Sequence, residues 1–430
     1  MELTMNNNNM RGRRKKTRNS ALASNNSSRK IKHPLLKILG MIVLLAAFVI
    51  GAYGFRIYSQ TQNSLGQTYK AIDGKVSTKI KDKKPVSILL LGVDTTDNGV
   101  RDNVSNYRGN SDTMIVVTVN PKTEKTTMTS IPRDTMAQIW KSSTNNTNKI
   151  QKINSAYNIG NEESALATTE KLLNISLDYY IKVDFNSLKK IVNAVGGVDV
   201  DVPFSFSYGD TGEKESHFKK GKMHLNGKQA LDYSRMRYDD PEGDYGRQKR
   251  QRQVIKAIIK SAASANTFTH YQKVLNSIST SMTTNLSFND MQSLFLNYRG
   301  AAGSIGSDHL QGYGSMINGS SYEIASTKEL RRVSNKIRKE LGLSEEQLNN
   351  RETKLNAYNE KLGFSFNYTG NQTQNYSTSI RSTNANTGYG NSGGSSYGSG
   401  SSSSSYGYGS SNSGSYGSNS GSSNGGYGGY

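Results

Sequence analysis

Cysteine is absent from the 430 residues and histidine is scarce, at five. No disulfide framework, thiolate–metal centre or Cys–His nucleophile pair can be built from such a chain. Acidic residues are also short, with 33 Asp and Glu against 54 Lys and Arg, a formal net charge of +21. Only 33% of residues are hydrophobic, so long segments lie outside any core, and the length leaves room for one large or two modest domains.

What is present begins with residues 38–55, ILGMIVLLAAFVIGAYGF, which contain no charge and are bracketed by Lys37 and Arg56. About 18 to 20 apolar residues suffice for a helix to cross the hydrocarbon layer. Arg11, Arg13, Arg14, Lys15, Lys16, Arg18, Arg29, Lys30 and Lys32 precede it, and this excess keeps the N-terminal end in the cytoplasm. No small-residue cleavage site follows, so the run reads as an uncleaved signal anchor. Up to Tyr58, eleven Lys and Arg against Glu2 account for +10 of the +21, leaving +11 for the exported part. That balance calls for anionic company: lipid headgroups, phosphorylated wall polymer or a polyphosphate substrate. Residues 1–33 are too polar and short for a folded DNA-binding unit, so no nucleic-acid partner is expected.

After a polar stalk at 58–84, residues 86–93 (VSILLLGV) read as a strand buried on both faces, ending at Asp94. Residues 113–119 read as a second strand, and 125–131 return as its hairpin partner across Asn120-Pro121-Lys122-Thr123. Helices are expected at 161–173, 186–194, 247–263, 287–298 and 326–341, with strands at 179–185 and 198–202. Val254, Ile255, Ile258 and Ile259 form one helical stripe, read as core packing. Ser287 and Asp290 have the spacing of a capping box. Strands alternating with helices point to an α/β layered domain. The expected divisions are a core at 85–265, a helical part at 266–365 and a disordered Ser/Gly/Tyr-rich tail at 366–430, preceded by a cytoplasmic segment at 1–33 and a membrane anchor at 34–57.

The densest chemistry lies at 234–253, SRMRYDDPEGDYGRQKRQRQ. Arg235 and Arg237 are two apart, a strand-face spacing. Arg247, Arg250 and Gln251 sit at i, i+3 and i+4, a helix-face spacing. Guanidinium forks match phosphate oxygens, so a strand and a helix aiming arginines across one loop would grip a pyrophosphate. Asp94 at the end of one buried strand and Asp112 at the start of its neighbour are hard oxygen donors suited to Mg²⁺. Arg133 follows a proline that directs its backbone.

In chain order, LLLGVD, NSDTMIVVTVNPKT, SIPRDT, KINSAY, GGVDVDVP, HLNGKQALDYSRMRYDDPEGDYGRQKRQ and TNLSF resemble the LytR–CpsA–Psr family of membrane-anchored envelope enzymes. The resemblance covers residues 87–263, with TNLSF just beyond. It implies a three-layer α-β-α domain with a mixed central sheet. It also implies transfer of a glycan phosphate (wall teichoic acid, capsular or similar polysaccharide) from a polyprenyl-pyrophosphate carrier to peptidoglycan, with a long apolar pocket for the prenyl chain. By motif position, Asp94 and Asp112 would hold Mg²⁺, with Mn²⁺ as a substitute. Arg133, Arg235, Arg237 and Arg247 would bind the pyrophosphate, and Gln251 would add a hydrogen bond. The family usually has Arg-Ser-Asp where this chain has Asn110-Ser111-Asp112, and Arg108 is the expected replacement for the missing arginine. Lys249, Arg250 and Arg252 are expected to face solvent or the anionic wall. Asp134, Asp239, Asp240 and Asp244 are candidates for a general base. Other readings are a phosphatase or pyrophosphatase acting on the same lipid, a membrane-bound transcriptional regulator, and a wall adhesin using the tyrosine-bearing tail.

Overall fold

The computed structural model describes residues 69–72, 77–93, 109–209, 214–264, 282–368 and 374–380. The apolar run at 38–55, Asp94, Arg108 and the tail from 381 lie outside the described residues. Among the described residues no helix is long and apolar enough to cross a membrane.

The first strand, β1 (Val86–Val93), is the apolar run and lies between two neighbours. It pairs antiparallel with β2 (Ser111–Asn120), which turns through Pro121 into antiparallel β3 (Lys125–Ile131). A side ribbon of β4 (Met136–Trp140) and β5 (Asn146–Lys152) follows, then the helix α1 (Ser155–Leu173). This helix is broken where Gly160 and Asn161 leave helical geometry, so its second half matches the sequence expectation. Next, β6 (Tyr179–Asp184) returns by way of α1 to pair parallel with β1, and α2 (Phe185–Ala194) is capped by the Asp184 carboxylate.

A small lobe comprises β7 (Val198–Val202), β8 (Phe206–Tyr208), β9 (Ser216–Phe218), β10 (Gly221–Leu225) and α3 (Gly227–Arg235). Alternating Val198, Val200 and Val202 turn inward with Phe218 and Leu225, the period-2 pattern of a strand with one dry face. The long helix α4 (Gly243–Ala263) follows. Then come β11 (Thr283–Thr284), α5 (Phe288–Asn297) with its Ser287–Asp290 capping box, and a 3₁₀ turn, Arg299–Ala302. The described residues close with β12 (Ser304–His309), β13 (Tyr313–Ile317), β14 (Ser320–Ile324), α6 (Thr327–Glu340), α7 (Arg351–Lys361) and β15 (Gln374–Asn375).

The central sheet is mixed, in the order β11-β6-β1-β2-β3-β12. Alternation on the strands divides its two faces. Leu89, Leu91, Val93, Met114 and Val116 pack with α1 and with Leu330, Val333 and Ile337 of α6. Val86, Ile88, Ile115 and Val117 face the other way, towards Ile255 and Ile259 of α4 and Met291 and Leu294 of α5. Helices therefore cover both faces of a mixed sheet.

Three boundaries move. Residues 266–365 are not helical throughout, because β11 and β12 complete both edges of the central sheet. The stalk is not free of the domain: Ile72 and Ile80 are core residues, and Lys70 N donates to Thr284 O at 2.7 Å. The tail starts later than 366, since Phe366 and Tyr376 join Met136, Ile317 and Leu355 in a separate apolar cluster.

Candidate active site

Strand register builds the first part of the site. Met114 faces Ile131 in the β2–β3 pair, so Asp112 and Arg133 each lie two residues beyond the same rung. Arg133 Nη1 donates to Asp112 Oδ1 at 2.8 Å. Its backbone oxygen accepts from Asn154 N, whose own carbonyl accepts from Ser111 N, which ties the KINSAY segment behind both strands. Burial pulls the Arg133 pKa down, but the facing carboxylates of Asp112, Asp134 and Asp244 outweigh it and leave it raised.

The second part comes from α3, a loop and α4. Arg235 is the last residue of a helix, not part of a strand; Met236 ends it with extended backbone (φ −52°, ψ 136°). The break lets Arg235 and Arg237 serve the same space from two sides of a turn. The Arg235 guanidinium lies 4.4 Å from the ring centroid of Phe185, the first residue of α2, a cation–π platform that fixes its plane. Arg237 Nε lies 3.8 Å from Asp244 Oδ1, and Arg247 Nη2 lies 2.5 Å from the same oxygen. Burial lowers the Arg247 pKa; Arg133 and Arg237 add to the lowering, while Asp244 and Asp112 oppose it. Guanidiniums that line the same cavity repel each other, and an anion among them relieves the repulsion.

Arg250 and Arg252 do not face solvent. Arg250 is 1% exposed and clamps the loop between α3 and α4. Its Nε donates to Tyr233 O at 2.9 Å, and its guanidinium binds the Asp240 carboxylate and Met236 O. Arg252 is buried with Nη1 donating to Ser130 Oγ at 2.5 Å. Spacing alone could not separate these arginines from Arg247, because a buried helix has polar partners on more than one side. Lys249 is exposed as expected, pairing with Glu242 at 2.6 Å.

Arg133, Arg235, Arg237, Arg247, Gln251 and Asp112 all line one end of a cavity of about 730 Å³. Its walls are apolar: Ile88 and Leu90 of β1, Val117 of β2, Ile181 of β6 and Leu294 of α5. The α4 stripe of Val254, Ile255, Ile258 and Ile259, read from sequence as core packing, lines this cavity as well. From Asp112 to Val119, both cavity residues, β2 runs about 24 Å at ~3.4 Å per residue, which gives the cavity its length. A cationic head and a long apolar body match an amphiphile with an anionic headgroup.

Two buried donors strengthen that match: Arg133 Nε and Arg247 Nε have no hydrogen-bond partner among the described residues. A buried donor is stable only with an acceptor, which a phosphate oxygen would supply. Among the described residues no three His, Cys, Asp or Glu gather to hold a metal ion. Of the carboxylates considered as a base, Asp134 contacts Arg133 and Lys152, Asp240 lies under Arg250, and Asp244 holds Arg247. Sequence reasoning missed Phe185, and it named Asp244 as a candidate base rather than as the carboxylate shared by Arg237 and Arg247. It had a signal for Asp244, which lies three residues before Arg247 on one helix.

Comparison with known proteins then bears on the site. A family model described as the LytR_cpsA_psr family matches residues 52–339. The chain is 40% identical over 306 residues to a polyisoprenyl-teichoic acid–peptidoglycan teichoic acid transferase TagU of Enterococcus faecalis, covering 71% of this chain and 96% of that protein. It is 39% identical over 341 residues to biofilm regulatory protein A of Streptococcus mutans, covering 78% of this chain and 83% of that protein. Among solved structures, protein gbs0355 of Streptococcus agalactiae is similar at 41% identity and a TM-score of 0.58, covering 64% of this chain and 94% of that one.

Proposed function

The chain belongs to the LytR_cpsA_psr family, and from that premise we propose that it is a membrane-anchored phosphotransferase of the cell envelope. It moves a phosphorylated glycan from a polyprenyl-pyrophosphate carrier to peptidoglycan. The observation that carries the reading is the convergence of Arg133, Arg235, Arg237 and Arg247 at one end of a long apolar cavity. The prenyl chain lies along the walls and the pyrophosphate lies among the arginines. The similarity to a transferase whose name specifies teichoic acid and peptidoglycan supports the same pair of substrates here.

The reaction requires little covalent work from the protein. A peptidoglycan hydroxyl, of a muramic-acid sugar in this reading, attacks the phosphorus that bears the glycan. A new P–O bond forms, the bridging P–O bond breaks, and polyprenyl phosphate leaves with the electron pair while the hydroxyl loses its proton. Arg235, held flat on Phe185, and Arg247, braced by Asp244, meet the oxygens on which charge accumulates. Gln251, one turn beyond Arg247, donates a hydrogen bond to the same group.

Asp112, together with Asp94, would hold Mg²⁺ or Mn²⁺. Asp112 is a hard oxygen donor at the cationic end of the cavity, and magnesium ordinarily binds one or two carboxylates and completes its shell with water and substrate phosphates. When bound, the ion neutralises pyrophosphate oxygens. The uncharged run at 38–55, with cations upstream, supports a single membrane crossing with the described residues outside the cell. Incubating the purified full chain with lipid-linked glycan and peptidoglycan tests the reading. Glycan phosphate in the wall fraction supports it; carrier cleavage that ignores peptidoglycan identifies a lipid pyrophosphatase instead.

A further inference from the structure

The cavity has a second end, unlike the first. The arginine cluster lies at the β2-start, β3-end pole of the sheet. The opposite pole consists of the turn before β1, the β2–β3 turn and the 3₁₀ turn after α5. Cavity residues Val119, Thr126, Ala263, Tyr298, Arg299 and Ala302 lie at this pole.

Three local contacts gather these pieces. Tyr298 OH donates to Lys84 O at 2.7 Å and lies 3.3 Å from Lys79 O, which fixes the 79–84 turn against the end of α5. Arg299 Nε donates to Ala263 O at 3.0 Å, which fixes the last turn of α4. Thr126 Oγ1 donates to Ala301 O at 3.0 Å, which fixes the start of β3. The pole is basic: Lys81, Lys83, Lys84, Lys122, Lys260 and Arg299 are all exposed there. Opposing carboxylates are fewer. Asp82 pairs with Lys84, Glu124 lies beside Gly300, and Glu340 pairs with Lys125. On α5, Leu296 is 58% exposed, one residue past Leu294 and Phe295 of the cavity lining.

We propose that this pole docks on an anionic lipid bilayer and opens the apolar cavity to it. Cations around an exposed leucine are the combination that binds an interface, the charges meeting anionic headgroups while the apolar side chain inserts. An apolar passage ending in water would strand a prenyl chain at its mouth, whereas one ending at hydrocarbon lets the chain pass without crossing water. The pole also carries the 79–84 turn, a part of the described chain that follows the uncharged run at 38–55 and precedes β1. The inference rests on the proposed function only for the lipid that uses the passage; the docking itself rests on charge and exposure.

The cysteine-free sequence permits a direct test on the full chain in lipid nanodiscs. Leu296→Cys and, as a reference, Leu362→Cys, exposed at the end of α7, are each labelled with an environment-sensitive fluorophore. Discs contain acyl-brominated phosphatidylcholine, with or without phosphatidylglycerol. Docking predicts quenching at position 296 at least about two-fold above that at 362, greater with the anionic lipid. In the Lys81→Ala/Lys83→Ala/Lys84→Ala background it falls towards the level of 362. Equal quenching at both positions, or quenching at 296 indifferent to both anionic lipid and the lysines, overturns the proposal. Transfer assayed on the same discs separates the two readings: a chain that docks but transfers nothing refutes the proposed chemistry alone.

Discussion

Arginines that look alike in the sequence have different work in the structure. Arg235 and Arg237 flank a helix break at the cavity mouth, whereas Arg250, fifteen residues after Arg235, holds the loop that positions them. The exposed Lys249–Glu242 pair contributes at most about 1 kcal/mol. Removing one partner of a buried pair costs about 3–5 kcal/mol. Arg250→Met is therefore expected to lose stability of that order in urea unfolding. Arg235→Ala should lose transfer while its unfolding midpoint stays close to that of the wild type. The same contrast shows what could be read in advance. Asp112 and Arg133, read at strand ends, and Arg247 and Gln251, read at helix spacing, all line one cavity. The burial of Arg250 and Arg252 was not legible, because their partners, Asp240, Tyr233 O and Ser130, are fixed by tertiary packing.

At the scale of elements, the central strands were legible because both their faces are dry. The edge strands were not: β11 is Thr283–Thr284 and β12 reads SIGSDH, short and polar as edges are. Two devices here are testable. Gly246 on α4 has no room for a Cβ against the Asp240 carboxylate, so Gly246→Ala should push Asp240 off Arg250 and move the loop bearing Arg237. Overpacking of this kind costs about 1–3 kcal/mol, and transfer should fall with it. Calorimetry and the transfer assay on one preparation measure both.

The other device joins α6 to the β12 edge. Burial raises the Asp308 pKa, but hydrogen bonds from Arg332 and Lys336 outweigh this and hold it near 2, below the unfolded value of about 3.9. A folded pKa depressed in this way gives stability that is present above the unfolded value and is lost as pH falls through the folded one. Asp308→Asn should therefore be less stable than the wild type at neutral pH, the gap closing between about pH 4 and 2.

At the scale of the whole molecule, one sheet serves two purposes. One of its faces is packed solid by α1 and α6, and the other leaves a passage under α4 and α5. One pole of that passage is lined with arginine and the other is basic and partly apolar. The amphipathic stripe of α4 was legible as core packing, but its second use as cavity lining was not, because a stripe that fills a core and one that lines a cavity have the same period. Chelation should abolish transfer and added Mg²⁺ or Mn²⁺ should restore it; full activity in excess chelator would remove the ion from the account.

The central claim concerns where one phosphorus goes. The purified full chain, given a polyprenyl-pyrophosphate glycan labelled at the phosphorus next to the sugar, should place the label in the peptidoglycan fraction and release one polyprenyl phosphate per glycan transferred. Label recovered as soluble glycan phosphate, at a rate unchanged by peptidoglycan, would contradict transfer and leave hydrolysis as the activity of the site.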